Sequence, residues 1–442
     1  MAPVHPQPPA DGFDRPLFVG APNIGDRAAF DGYVEQIFTS HRLSNGGPLV
    51  LELEQRIAER LGVRHVVAVS NATLGLQIAA KALNLTGEVI VPSFTFIATA
   101  NALAWIGIRP VFADIDPLTH CLDPASVRRA ITPATSGVLG VHLWGRPAPI
   151  EQLQQVADEH GLSLFFDAAH AFGASHGGRM LGSFGRAEVF SFHATKFFNT
   201  FEGGAITTDD DDLAELMRGM RNFGICAEDQ TNMLGVNAKM SEIGAAMGLV
   251  NLNMIDDVVA VNRANWQAYR DALARVPDVR LLTPSAEEAN NYQYVVLEIE
   301  DGAPGARDQV LHALRERNVM ARKYFAPGCH RMSPYLEQDP DAGHRLPGTE
   351  EVAARVLVLP TGTAVTPDVA RAVVAIIDRV MTTRESDRRL AAVPEPAPGT
   401  AGRASAGTRP SPASAGSRPT PATVAAMTAS RRTALAAARG ER

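Results

Sequence analysis

Short apolar runs alternate with helical spacing along the first half of this chain, and few architectures accept that alternation. Val66 to Val69 is a β-branched run that passes through Ser70-Asn71-Ala72 into the helical spacing Leu74, Ile78, Leu83, closed near Gly87. Val89 to Val91 reads as the next strand, Ile97 to Ile106 as a helix ending at Gly107, and Val111 to Ala113 and Gly137 to Val141 as further strands. Ile150, Leu153, Val156 and Ala157 mark an amphipathic helix that stops at His160-Gly161. The buried-type strand Ser163 to Phe166 follows, then Val189 to Phe192 and Gly204 to Thr207. Strands alternating with helices predict parallel βαβ units, hence an α/β fold with a mostly parallel central sheet. Upstream, the turn cluster Ser44 to Pro48 opens a helix through Leu51, Ile57 and Leu61 that stops at Gly62.

The pattern changes near residue 250. A long helical stretch from about Asn251 runs through Trp266 and Tyr269, Tyr294 to Ile299 starts a strand in a new context, and a helix that begins around Pro367 and includes Val373, Ile376 and Val380 closes this part near Arg384. The expected organisation is a flexible segment over 1–25, a large domain over 26–250, a smaller C-terminal α/β domain over 251–388 and a disordered tail over 389–442. The tail is rich in Ala, Pro, Ser, Gly, Thr and Arg and has no aromatic residue, so it cannot offset the entropy of ordering a core. From Ala391 on it carries seven arginines against Glu395 and Glu441, whereas the whole chain has a net charge of -7. An acidic body therefore bears a basic tail, and no global charge points to a nucleic acid or a membrane surface. The three cysteines, Cys121, Cys226 and Cys329, fit neither a disulfide framework nor a zinc ribbon, so no metal site is expected and a reducing cytoplasm is the expected setting. No apolar stretch reaches about 18 residues, and the segment Met1 to Pro9 lacks the apolar centre of a signal peptide.

Four residue groups carry chemistry. Asp167 follows a strand at the carboxyl edge of a parallel sheet, where open α/β folds place ligands, although an aspartate there also caps a turn. Lys196 lies just past another strand, in Ser191-Phe192-His193-Ala194-Thr195-Lys196, and is followed by Phe197-Phe198. Desolvation there would depress its pKa, as a Schiff-base lysine requires, whereas a surface loop would leave it ordinary. Ser70-Asn71-Ala72-Thr73 opens a helix after a strand and reads either as an anion cradle or as an ordinary capped helix. Phe96 reads as a core aromatic by composition alone, or as a flat wall for a ring. One cofactor would use all four. Pyridoxal 5'-phosphate needs a lysine for its aldehyde, a carboxylate for its pyridine nitrogen, an anion site and an apolar surface.

The ordered motifs Phe166 to Gly173, Ser191 to Lys196 and Glu202-Gly203-Gly204 resemble the DegT/StrS-type nucleotide-sugar aminotransferases, over roughly Gly25 to Val380. The resemblance implies the aspartate-aminotransferase fold (fold type I), pyridoxal phosphate, and a homodimer with shared active sites. It implies Lys196 as the Schiff-base lysine, Asp167 as partner of the pyridine nitrogen and Phe96 as the stacking ring. Ala72 and Thr73 would bind phosphate through their amides, Ser191 through its hydroxyl, and Asn237 from the neighbouring subunit. His170 stands where many members have Gln, contacting the phenolic oxygen, so its protonation state matters.

Phe198 to Gly204, with Arg322-Lys323-Tyr324-Phe325 and Gly328-Cys329-His330, is similar to the subgroup that aminates dTDP-4-keto-6-deoxyglucose at C4. That similarity implies L-glutamate as donor, a product used for antibiotics or surface glycans, and Arg322, Lys323 and His330 as substrate contacts; solvated loop residues are the alternative. Amination at C3 is the nearest alternative activity. A sugar 3-dehydratase on this scaffold replaces the lysine by histidine, which Lys196 argues against. A non-catalytic regulator could also retain the fold.

Overall fold

In a computed structural model the described residues are 12–391, apart from 301, 303 and 304. The strands, in chain order, are β1 (Leu17–Phe18), β2 (His65–Val69), β3 (Glu88–Pro92), β4 (Arg109–Ala113), β5 (Thr135–Val141) and β6 (Ser163–Asp167). A two-residue hairpin follows, β7 (Ser175–His176) with β8 (Arg179–Met180), and then β9 (Glu188–Ser191) and β10 (Gly204–Thr208). A seven-stranded sheet has the order β2-β10-β9-β6-β5-β3-β4, parallel throughout except for β10, which runs against both neighbours. Its strands read as continuous apolar runs because both faces are covered. Val66, Ala68, Leu164 and Phe166 pack into the core on one face, whereas Val67, Val69 and Phe165 pack on the other. That split is the two-residue alternation of side chains along a strand.

The helices α1 (Arg27–Ser40), α2 (Pro48–Leu61), α3 (Ala72–Ala82) and α4 (Ala98–Trp105) occupy the first part of the chain. The sequence pattern placed α2, α3 and α4 within two residues at most boundaries but missed α1. Among the α1 side chains only Ile37 is buried, and Phe38 faces solvent, so the apolar stripe that marks a helix is faint. The stretch read as one long helix from Asn251 begins earlier and is two helices, Glu242–Asn253 and Ile255–Leu273, bent by 60° at Met254. Among the described residues no single helix is long and apolar enough to cross a membrane, and no group of three His, Cys, Asp or Glu side chains could hold a metal ion.

After residue 278 a three-stranded antiparallel sheet forms from Val279–Leu281, Val295–Ile299 and Val356–Leu359. Its core is Trp266, Tyr269, Leu297, Val310, Leu357, Val373 and Ile377. The final helix, Pro367–Ala391, continues past Arg384 and takes in the first residues assigned to the tail. The remainder of that tail lies outside the described residues.

The expectation of a flexible lead through residue 25 is corrected from Phe13 onward. Leu17 and Phe18 pair in parallel with Val319 and Met320, and Asn318 Nδ2 donates to Phe13 O at 2.7 Å. Asn23 is buried: its Nδ2 donates to Phe197 O at 2.9 Å, and its carbonyl accepts from Asn199 Nδ2 at 2.8 Å. These bonds involve residues about 180 to 300 positions apart, so no local pattern announces them.

One buried carboxylate joins two helix N-termini. Glu242, in the first turn of its own helix, accepts from Leu49 N at 2.9 Å and Val50 N at 3.2 Å, two otherwise orphaned amides of α2. Hydrogen bonds to a charged acceptor contribute roughly 1.5–3 kcal/mol. Glu242→Ala should therefore destabilise the protein by about 2 kcal/mol, and Glu242→Gln by less. Urea midpoints of the three proteins check this, with equal midpoints as the contrary result.

Candidate active site

The strands β2, β3, β5, β6 and β9 end at one edge of the large sheet, and the segments leaving them converge there. A cavity of about 360 Å³ opens at this edge, lined by Ala72, Thr73, Phe96, Asp167, His170, Ser191 and Lys196. Seven of the residues singled out in the sequence thus share one wall system. Tyr294, Tyr324 and Phe325 close it from the second half of the chain.

Lys196 sits in the loop between β9 and β10. Phe197 on its flank donates from its backbone to Gln293 Oε1 at 2.8 Å and accepts from Asn23, so the loop is tied on two sides. The Lys196 amine lies 3.4 Å from the Tyr294 hydroxyl and 5.9 Å from the centre of that ring. Burial pushes its pKa down to about 8, opposed by the nearby Asp167 carboxylate. Asp167 ends β6 and is buried. Its Oδ2 accepts from the Thr99 hydroxyl at 2.8 Å and its Oδ1 from Ala169 N at 3.1 Å. Burial raises the Asp167 pKa, while Thr99, the Ala169 amide, Lys196 and His142 pull it back. The turn-capping role open to Asp167 accounts for one oxygen only.

The α3 N-terminus completes another wall. Asn71 caps the helix by accepting from Leu74 N at 2.9 Å, and the Ala72 and Thr73 amides have no acceptor among the described residues. They face the cavity region with the positive end of the helix dipole behind them. Gly204 makes this approach possible, since a Cβ there would stand 2.9 Å from Ala72 N and 2.7 Å from Phe190 O. Phe96 is not a core residue: 56% of it is exposed, in the wall of the cavity. His170 is buried and its Nδ1 lies 3.3 Å from the Trp144 backbone N–H. Only a neutral ring can accept there, and burial, with Lys196 adding to it, holds the His170 pKa well below the usual value. Its proton therefore sits on Nε2.

Residues 26–378 match the model of the DegT/DnrJ/EryC1/StrS aminotransferase family. The chain belongs to that family. The aminotransferase is 34% identical over 367 residues to the dTDP-4-amino-4,6-dideoxy-D-glucose transaminase of Shigella dysenteriae, covering 83% of this chain and 100% of that one. It is 36% identical to the protein of the same name from Escherichia coli, over 78% of this chain and 94% of that one. The crystal structure of DesI in the presence of its TDP-sugar product is 51% identical, with a TM-score of 0.80 over 86% of this chain and 97% of that chain. The architecture is the aspartate-aminotransferase fold expected from the sequence.

Four expected site residues do not line the aminotransferase cavity. Asn237 is exposed, and its Oδ1 accepts from Lys239 Nζ at 2.7 Å. Lys323 pairs with Asp308 at 3.3 Å. Arg322 is exposed, its guanidinium 5.1 Å over the ring of Tyr324. His330 is a correction. It is 1% exposed, with Nδ1 2.7 Å from Ser93 Oγ and Nε2 2.6 Å from Glu350 Oε1, so both nitrogens are spent inside the protein. The turn at Gly328 carries it inward, where it fastens the segment after β3. Sequence reasoning also missed Thr99, Trp144 and Tyr294, of which only Thr99 had a local signal, lying one helical turn after Thr95.

The chain has four lysines, Lys81, Lys196, Lys239 and Lys323. An amine with a pKa near 8 is about half free base at pH 8, whereas an ordinary lysine is well under ~1% free. Formaldehyde and cyanoborohydride at pH 8 should modify Lys196 first in cofactor-free protein. The rate should rise with pH and level off above about 9, because only the free amine attacks the carbonyl. Peptide mapping over a pH series reads this, and earlier modification of Lys81 would contradict the depressed pKa.

Proposed function

We propose that the protein is a pyridoxal 5'-phosphate-dependent aminotransferase that moves an amino group from L-glutamate to C4 of dTDP-4-keto-6-deoxyglucose, giving dTDP-4-amino-4,6-dideoxyglucose. The observation that carries the cofactor is the cavity itself, which joins a lysine of depressed pKa, a buried carboxylate, two open amides at a helix start and an exposed aromatic face. The residues fit the group. Lys196 would hold its aldehyde, Asp167 its ring nitrogen, Ala72, Thr73 and Ser191 its phosphate, Phe96 its face and the His170 Nε2–H its phenolic oxygen. The acceptor is supported by the names of the Shigella and Escherichia relatives and by the TDP-sugar product of DesI.

When bound, pyridoxal phosphate supplies an aldehyde that captures amines and a ring that accepts an electron pair. The chain's own residues do the rest. The Lys196 amine would hold and return a proton, since a pKa near 8 keeps both its forms populated at mildly alkaline pH. Asp167 would face the ring nitrogen, and a positive charge there would favour the carboxylate which burial alone disfavours. His170, neutral, donates a hydrogen bond without adding a positive charge beside Lys196.

Asn237 would reach the phosphate of a second subunit. Phe223, Ile225, Leu234 and Val236 around it are exposed, as is Ile243, and an apolar patch of that kind supports a homodimer with shared sites. Arg322, exposed over the ring of the cavity-lining Tyr324, would offer a cation to the pyrophosphate. The reading places the enzyme in the cytoplasm, in amino-deoxysugar synthesis for antibiotics, with residues 26–250 as the cofactor-binding domain and 251–388 as the smaller one.

Enzyme loaded with cofactor should convert glutamate and dTDP-4-keto-6-deoxyglucose into a product whose NMR spectrum places nitrogen on C4. Nitrogen on C3, or no transfer, overturns the assignment of substrate. Asp167→Asn should keep cofactor binding yet lower turnover by several powers of ten, on the scale of about 10⁴ seen when a catalytic partner is misprotonated. Near-normal turnover in that variant would remove Asp167 from the role.

A further inference from the structure

Behind His170 lies a chain of buried polar contacts that the proposed reaction does not use. Trp144 is 5% exposed and has φ +63°, a conformation that side-chain-bearing residues rarely adopt. Its backbone N–H reaches His170 Nδ1 at 3.3 Å, and its ring stacks on Phe325 at 5.2 Å and on His170 at 5.8 Å. The indole Nε1–H donates to His120 Nδ1 at 3.2 Å. With Nδ1 accepting, His120 must carry its proton on Nε2, which lies 2.6 Å from Glu298 Oε1. His120 and Glu298 are both fully buried, and Arg280 and Arg355 pair with the same carboxylate.

Each contact in this series admits one proton arrangement. Glu298 is acceptor only, so His120 donates from Nε2 and presents a lone pair at Nδ1. That lone pair fixes the indole, the indole fixes the plane of residue 144, and the amide of residue 144 leaves the His170 proton no place but Nε2. Asn291 holds the other side of His170, donating from Nδ2 to its carbonyl at 2.8 Å.

We propose that His120 and Trp144 are positioning residues that lock His170 as the neutral Nε2–H donor, anchored on Glu298. The inference rests on the proposed function only for the use of that donor, since the lock itself is a property of the cofactor-free protein. Glu298 and Asn291 lie in or beside the antiparallel sheet of the second half of the chain, so the donor state of His170 depends on how that half is seated.

The test reads imidazole ¹⁵N shifts in cofactor-free protein. In wild type, His170 should show the neutral Nε2–H pattern throughout pH 6–9. Trp144→Phe keeps the ring and the backbone strain but removes the indole donor, and His120→Phe removes the acceptor. Both should give His170 a mixed tautomer or a titration within that range. His120→Asn offers Oδ1 in place of Nδ1 and tolerates the φ of +63° at that position, so it should restore the wild-type pattern. In holoenzyme, Trp144→Phe should lower turnover about tenfold, the order of one buried hydrogen bond, and shift the pH midpoint of the visible absorbance. An unchanged His170 pattern in both phenylalanine variants would overturn the lock, even if their thermal midpoints fall. An altered pattern with unchanged turnover would keep the lock and overturn the use made of it.

Discussion

The site depends on what it costs to keep the Lys196 amine charged where the chain holds it. Lys196 is half-buried in the cavity wall, where the ammonium loses part of its solvation and the pKa falls to about 8. Asp167 is placed to limit that fall, and Lys196 in turn limits the rise at Asp167. A cationic His170 would upset this balance by adding a second positive charge in the same enclosure, and burial together with the Trp144 amide keeps it neutral. The carboxylate belongs to β6 and the open amides to α3, so the two are presented by different elements of one sheet edge.

That arrangement needs the sheet topology. Parallel strands deliver their carboxyl ends, and the segments that follow, to a single edge, and β10 returns antiparallel between β2 and β9 to close the Lys196 loop. Gly204 at the start of β10 lets that returning strand pass against the first amide of α3. A larger residue there would separate the lysine loop from the helix start.

Where chemistry follows from local pattern, the sequence was legible. The strands at Val66, Val89, Ser163 and Val189 announced themselves because both faces are buried, and Asp167, Lys196 and Ala72 follow from their places at strand ends. Phe96 could be recognised only through the resemblance, since nothing local separates a wall from a core aromatic. What escaped was long-range: Tyr294 beside Lys196, the seating of Asn23 under Phe197, and the burial of His330. Arg322, Lys323 and His330 share a short stretch, yet one lies exposed over the Tyr324 ring, one pairs with Asp308 and one is buried. Residue type and spacing do not report which way a loop turns.

The stitching of residues 13–23 has a bearing on the order in which the molecule can be completed. During synthesis the first residues emerge early, but the partners of Phe13 and Leu17 lie at 318–320, roughly 300 residues later. Closing so distant a contact carries a large loop entropy and belongs to the late steps of folding. Asn23 is tethered to the same segment and steadies the Lys196 loop through Phe197 and Asn199. The same loop also takes Gln293 and Tyr294 as partners, so it is completed only after most of the chain has left the ribosome, and a prematurely ended chain that retains the whole large sheet still lacks a finished lysine loop.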